Sequence, residues 1–426
     1  MRRISSPSSR LGWALGLSLA AAPSLALASP FARRPAALQA APAPAPAPAP
    51  VEPGADADDA VFRPWEVGGF VDANYAYNSN LPDNHVSRLR SAVPRTGEFS
   101  LNLVVAYIRR DAVPGQFSPT FELALQAGPA ADALMYYEPT PGGDASRFAG
   151  VEVFKHIGRA NVGFKTQRGT EVSVGMHLSP IGIGIHWTPF NWNYTVSWEL
   201  DGVPYYLAGL RVAHTIGERH GLQLWVVNGW QTLADANKSP SIMLGYTFTP
   251  GPRFNLATFA YAGPDQADIR LAAWRLYSDT QFTYNVDRFG VVGLFDLGSE
   301  RVTDRAGAPA ALWTTGALFT RWRVLGGKQR TWDMAARPEI YWDRDGRIYG
   351  APNNLLVGAT YTNAVRLTEN LLLRLEYRYD HSSLSGGYFY RGAAIRDDAL
   401  GLARDQHAVF FAVAGVFAHR FGAPRK

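Results

Sequence analysis

Residues 371–380 alternate without a break. Leu371, Leu373, Leu375, Tyr377 and Tyr379 fall on one side of an extended chain, and Arg374, Glu376, Arg378 and Asp380 on the other. Successive side chains of a strand point to opposite faces, so this segment has one apolar face and one charged face. The pattern recurs between Trp65 and Phe421. Residues 98–107 set Phe99, Leu101, Leu103, Val105 and Tyr107 against Ser100 and Asn102. Residues 272–284 set Ala272, Trp274, Leu276, Phe282 and Tyr284 against Arg275, Tyr277, Asp279, Gln281 and Thr283, and residues 332–342 set Trp332, Met334, Ile340 and Trp342 against Asp333, Arg337 and Glu339. A soluble sandwich also alternates, but its buried face does not tolerate so many charges, and aromatics near the strand ends suit lipid girdles. The pattern predicts a sheet with lipid on one face and a watery lumen on the other. Such a sheet must close on itself, because an open edge in lipid leaves backbone groups unpaired.

Segments of this kind number about sixteen (14–18) by period-two counting, centred near residues 71, 103, 123, 162, 175, 210, 225, 245, 258, 277, 294, 318, 337, 360, 376 and 414. Alternate links are short and turn-like: 165–169, 216–221, 250–253, 285–288 and 366–370. The links between them are longer, as in 78–97, 127–150, 179–204 and 381–405. Short turns at one end and long loops at the other predict an all-β, antiparallel, up-and-down transmembrane barrel over 65–421 with both termini periplasmic. In the last strand His407, Val409, Phe411, Val413, Phe417 and Phe421 share one face, and Ala408, Ala412, Ala414 and Arg420 the other. The small residues of this strand offer either a trimer contact or room for closure on the first strand.

The N-terminus supplies an export route. Arg2, Arg3 and Arg10 precede the short apolar run Leu11–Leu19, and Ala26-Leu27-Ala28 has the small residues of a cleavage site. This predicts a signal peptide over 1–28, since the run is too short to cross a bilayer as a helix. Residues 29–64 centre on an Ala-Pro alternation and read as an extended periplasmic linker. Removing 1–28 takes away three arginines and no acid, leaving 38 basic against 36 acidic residues. That near balance gives no case for nucleic acid. With no cysteine there is neither a disulfide framework nor a thiolate metal site. No apolar run of helix-spanning length follows the signal.

The stretch from Met176 to Trp230 carries Ser179-Pro180-Ile181-Gly182, Asn191-Trp192-Asn193-Tyr194, Pro204-Tyr205-Tyr206 with Gly209 and Arg211, and Val226-Val227-Asn228-Gly229-Trp230. With the opening Gly69-Phe70-Val71-Asp72-Ala73-Asn74-Tyr75-Ala76-Tyr77-Asn78, it resembles the OmpL-like β-barrel porins of Gram-negative outer membranes. The resemblance spans about half the barrel in matching order. It implies an outer-membrane pore for passive diffusion of small hydrophilic solutes or ions, without naming the solute. The tail Gly422–Lys426 departs from the aromatic residue that usually ends an outer-membrane barrel, and the Pro-rich segment is no part of the family's core pattern.

Two sets of residues are candidates for function. The connection 179–204 is long, Gly-rich and aromatic, which suits folding into the barrel as a constriction or capping its mouth; Asn191, Asn193 and Glu199 are its polar contacts in the first case. Parity places Asp72, Arg211, Arg275, Asp279, Arg321, Arg323, Arg337, Glu339, Arg374, Glu376, Arg378 and Asp380 in the lumen. Rings of charge tune ion selectivity, and the arginine surplus points to weak anion preference. Neighbours of opposite sign also allow cross-strand ion pairs that only stiffen the wall. His177, His186, His214 and His220 lack metal-ligand spacing, and His381-Ser382-Ser383 lacks a nucleophile context, so no catalytic residue, cofactor or metal is expected. The expected partners are outer-membrane lipid, the barrel-assembly machinery, small solutes and two further copies in a homotrimer. The alternatives are a surface-binding or adhesion barrel and, behind it, a barrel enzyme.

Overall fold

The computed structural model describes residues 63–135, 154–235, 237, 239–265, 273–301, 309–327 and 330–422. The signal peptide, the Ala/Pro linker, residues 136–153 and the tail beyond Gly422 lie outside them. Sixteen strands form one closed antiparallel barrel in which each pairs with its sequence neighbours. They are β1 (Trp65–Asn78), β2 (Phe99–Arg110), β3 (Ser118–Ala127), β4 (Ile157–Lys165), β5 (Thr170–Leu178), β6 (Tyr206–Ile216), β7 (His220–Val227) and β8 (Ser241–Gly251). The second half comprises β9 (Phe254–Gly263), β10 (Arg275–Val286), β11 (Phe289–Glu300), β12 (Ala311–Leu325), β13 (Thr331–Asp345), β14 (Pro352–Thr368), β15 (Leu371–Ser382) and β16 (Asp405–Phe421). Every expected centre falls inside one of them.

Closure is made by β1 on β16, paired without interruption from Trp65↔Phe421 to Asn78↔Ala408. The barrel therefore leaves no strand edge to lipid. All seven connections at one end are short, and the long ones gather at the other, as the link lengths predicted. Outward positions such as Leu375, Tyr377, Val409 and Phe411 are exposed, while Arg374, Glu376, Arg378 and Asp380 are buried inside. The strands are unequal. β4, β5 and β7 have nine, nine and eight residues, and β14 and β16 have 17 each.

Two expectations are corrected. Phe99 to Tyr107 do not share one face. Asp72 pairs with Leu103 while Ala73 pairs with Leu101, so Asn102 is an extra residue in β2. A bulge of one residue reverses the side-chain parity beyond it. Phe99 and Leu101 point to lipid, whereas Leu103 and Val105 point inward with Tyr107, against Phe70 and Trp187. The alanines of β16 also turn inward. Ala408 and Ala412 pack with Val93 and Tyr194, so they offer no small-residue patch to a neighbouring barrel.

The connection from β5 to β6, residues 179–205 and here named L3, leaves the wall and folds into the barrel. The β3–β4 connection opens with helix α1 (Pro129–Met135). L3 carries a 3-10 turn at Thr188–Phe190 and the short helix α2 (Trp198–Gly202), capped by Ser197 Oγ accepting from the Leu200 N–H. The connection from β1 to β2 (79–98) and that from β15 to β16 (383–404) close over it, with Arg88 donating to Tyr388 O.

Candidate functional site: the loop locked inside the barrel

L3 crosses the lumen and returns, and wall side chains hold it at nearly every step. Its central stretch lies on β1 and β13–β15. Glu376 accepts from Tyr194 N–H (2.5 Å), Thr195 N–H (2.8 Å), Thr195 Oγ1 (2.5 Å) and Thr362 Oγ1 (2.6 Å). Each carboxylate oxygen thus takes two donors, leaving no lone pair idle in a buried site. Arg337 donates to Thr195 O (2.6 Å) and Val196 O (3.0 Å), and Arg378 to Val196 O (2.8 Å). Arg374 donates to the carbonyls of Thr188, Pro189 and Asn191. Asp72 accepts from Thr188 Oγ1 (2.8 Å), Asn102 Nδ2 (2.8 Å) and Tyr194 Oη (3.1 Å).

Two of these arginines, Arg337 and Arg378, are themselves paired with carboxylates. Arg378 pairs with Glu339 and Asp380, each at 2.8 Å, and Arg337 with Glu339 at 3.2 Å. Arg90, from the β1–β2 connection, pairs with Asp380 (2.8 Å) and Asp201 (3.0 Å) and lies 3.5 Å over the Trp198 ring. Trp198 donates its backbone N–H to Glu339 and its indole N–H to Asp380. The result is one connected network in which the planar guanidinium forks bind loop carbonyls and wall carboxylates together.

The first arm of L3 docks elsewhere. Gly182 N–H donates to Asp279 Oδ2 at 2.9 Å, and Gln281 Nε2 to the carbonyls of Pro180 and Gly182. Ile183 packs on Val292, Leu294, Ala317 and Phe319 of β11 and β12. His186 meets Gln126 Oε1 of β3 at 3.0 Å, and burial with the nearby Arg159 guanidinium pushes its pKa well below the usual imidazole range. Trp187 sits beneath Arg159 at 3.8 Å and beside Phe70 and Tyr107.

The expected site residues therefore divide into groups. Arg337, Glu339, Arg374, Glu376, Arg378 and Asp380 come together around L3, with Asp72. Of the loop's own polar residues, Asn193 donates to Thr362 and Asn191 holds the backbone of Ile185, while Glu199 turns toward Asp279. Three arginines act as wall ion pairs: Arg275 with Glu300 (2.7 Å), Arg323 with Asp333 (2.7 Å) and Arg211 with Glu171 (2.5 Å). Arg321 is half-buried, 5.0 Å from the Trp192 ring of L3, with no carboxylate at ion-pair distance among the described residues. Arg90, Asp201 and Asp296 were not foreseen. The first two lie in connections without periodicity, whereas the inward parity of Asp296 on β11 was readable.

Comparison with known proteins agrees with this architecture. The family model described as "Putative beta-barrel porin-2, OmpL-like" matches residues 64–417. No curated protein matches. Among solved structures the barrel is similar to the anion-selective porin from Comamonas acidovorans (TM-score 0.54, 13% identity, 83% of this chain and 99% of that one). It is also similar to the outer-membrane channel DcaP of Acinetobacter baumannii (TM-score 0.52, 9% identity, 83% and 97%) and to the trimer form of OmpT of Vibrio cholerae (0.50, 9%, 83% and 99%). At such identities these likenesses speak for the fold alone. The match of sequence over nearly the whole barrel goes further: the chain belongs to the OmpL-like β-barrel porin family of outer-membrane channels.

Proposed function

We propose that the protein passes small hydrophilic solutes passively, that L3 is its constriction, and that it favours anions. The supporting observation is the way L3 is held: charged wall side chains fix its backbone across the lumen, as a permanent narrowing requires. The anion preference rests on Arg321, whose charge no carboxylate among the described residues offsets at ion-pair distance, beside Trp192 on L3. A lumenal charge without a counter-charge biases which ions enter. In this reading the short-turn end, with both termini, faces the periplasm.

Conductance across a planar bilayer, with reversal potentials under a salt gradient, tests the reading. The expected result is stable steps with an anion-side reversal potential, shifted toward cations by Arg321→Glu. A folded barrel that never conducts overturns it and promotes the surface-binding alternative. Assembly as a trimer is part of the same proposal. With nine, nine and eight residues, β4, β5 and β7 are the shortest strands of the barrel, at or just below the roughly 9–11 residues that span the hydrocarbon layer, and a neighbouring copy would shield that low wall. Cross-linking in native membranes reads the copy number directly.

A further inference from the structure

Glu199 of α2 faces Asp279 of β10 and Asp296 of β11, and one carboxylate oxygen from each lies within 4.8 Å of the others. All three side chains are fully buried. Elsewhere around L3 the buried carboxylates Glu339 and Asp380 meet guanidinium groups and Glu376 is filled by four donors. Here the donors are Ser197 Oγ and the backbone N–H of Ile183 to Glu199, Gly182 N–H and Gln281 Nε2 to Asp279, and Tyr277 Oη to Asp296. None of these donors carries a charge. Three adjacent anions in a dry site are strongly unfavourable unless a cation or protons neutralise them.

A second, separate observation points to a ligand. Glu199 Oε1 and Asp296 Oδ1 accept no hydrogen bond among the described residues, and neither does the hydroxyl of Tyr341, a fully buried side chain outside the cluster. Cross-strand register brings that tyrosine to the same place. Asp279 pairs with Asp296, Asp296 with Thr315 and Thr315 with Tyr341, one inward row across four strands. Tyr341 lies within electrostatic reach of both Asp296 and Glu199. The backbone has also made room. Gly182 has φ +88, and a Cβ there would stand 2.3 Å from Glu199 Oε1, so a side chain would displace the orphaned oxygen.

We infer that Glu199, Asp279 and Asp296 form a binding site for a hard divalent cation of calcium size, which staples the start of L3 and α2 to the β10–β11 wall. The donors are all oxygen, which selects hard cations over zinc or copper. Oxygens that all lie within 4.8 Å of one another fit inside the span of opposite ligands on calcium, at about 2.3–2.6 Å each, whereas magnesium keeps its waters and favours one or two carboxylates over an all-protein cage. The site stands whether or not the barrel conducts.

The test uses the refolded full barrel in detergent free of lipopolysaccharide, stripped with EDTA. Calcium chloride is titrated by calorimetry, and terbium luminescence, sensitised by Tyr277 and Tyr341, reports the same site. One calcium per barrel is expected, with affinity falling at least tenfold in Asp296→Asn and in Glu199→Gln, and with magnesium binding more weakly. Glu199→Gln changes only the loop, so it reports even if the wall variant fails to insert. Absence of a calcium heat in the wild-type barrel overturns the site. Equal binding by wild type and Glu199→Gln also overturns it, because the ion then sits on the surface. A wild-type barrel indifferent to EDTA, with Asp296→Asn more resistant to urea, would mean that Asp279 and Asp296 share a proton instead.

Discussion

L3 touches the barrel along two flanks of opposite electrical character. Toward β13–β15 Arg337 and Arg378 of the wall, joined by Arg90, meet Glu339, Asp380 and Asp201, while Arg337, Arg374 and Arg378 grip loop carbonyls. Toward β10 and β11 the wall brings Asp279 and Asp296 against Glu199, with neutral donors alone. On the first flank Glu339, Asp380 and Asp201 are each met by a guanidinium group. The second has surplus negative charge and orphaned oxygens. A buried pair loses much when one partner is removed, whereas a crowd of like charges gains when one is removed. The same type of substitution is therefore expected to have opposite signs on the two flanks.

Arg378→Ala should have the largest effect. It strips Glu339 and Asp380 of a shared partner and takes one donor from the Val196 carbonyl, at a cost of about 3–5 kcal/mol for a broken buried pair. Urea unfolding in lipid vesicles measures it, and single-channel records should turn noisy and larger as L3 loosens. Glu376→Gln follows, with a loss of about 1–3 kcal/mol, because an amide cannot accept from all four donors that the carboxylate serves. Glu199→Gln is the contrasting case. In EDTA it should stabilise the barrel by about 1 kcal/mol, by removing one of three facing negative charges. If Glu199→Gln and Glu376→Gln both destabilise in EDTA, the two flanks are alike and the comparison fails.

The wall was legible and the loop's docking was not, for one physical reason. Period two is a local property, so Leu375, Glu376, Tyr377 and Arg378 declare their faces from four consecutive residues. Parity says that Arg378 points inward, but not that its partners include Val196 O and Glu339, each reached only through the closed barrel. Residues expected to line open water thus proved to grip a loop. Asn102 misled for the same reason: with apolar residues on both sides of it, nothing local marks the extra residue that turns Leu103 inward. The carboxylate cluster was readable only in part. Asp279 and Glu199 each stood out as candidates, but their meeting depends on register across β10 and β11 and on the path of L3.

The smallest effect tests an L3 anchor built on an imidazole. His186 is buried between the Trp187 and Tyr205 rings, touches Gln126 on β3 and faces the Arg159 guanidinium from β4. Burial and that positive neighbour hold it neutral, so its folded pKa lies well below the ordinary imidazole value of about 6.5. Below that value the unfolded chain takes up a proton that the folded barrel refuses. The contribution is therefore whole above the unfolded pKa and lost as pH falls toward the folded one. Between pH 7.5 and pH 6 the loss should be under about 1 kcal/mol, by single-site linkage. His186→Gln has no such proton to exchange. Its stability relative to wild type should therefore rise by that amount over the same interval in urea titrations. A constant difference across the interval would show that the imidazole takes up its proton without leaving the Gln126 dock, and that this anchor, too, tolerates charge.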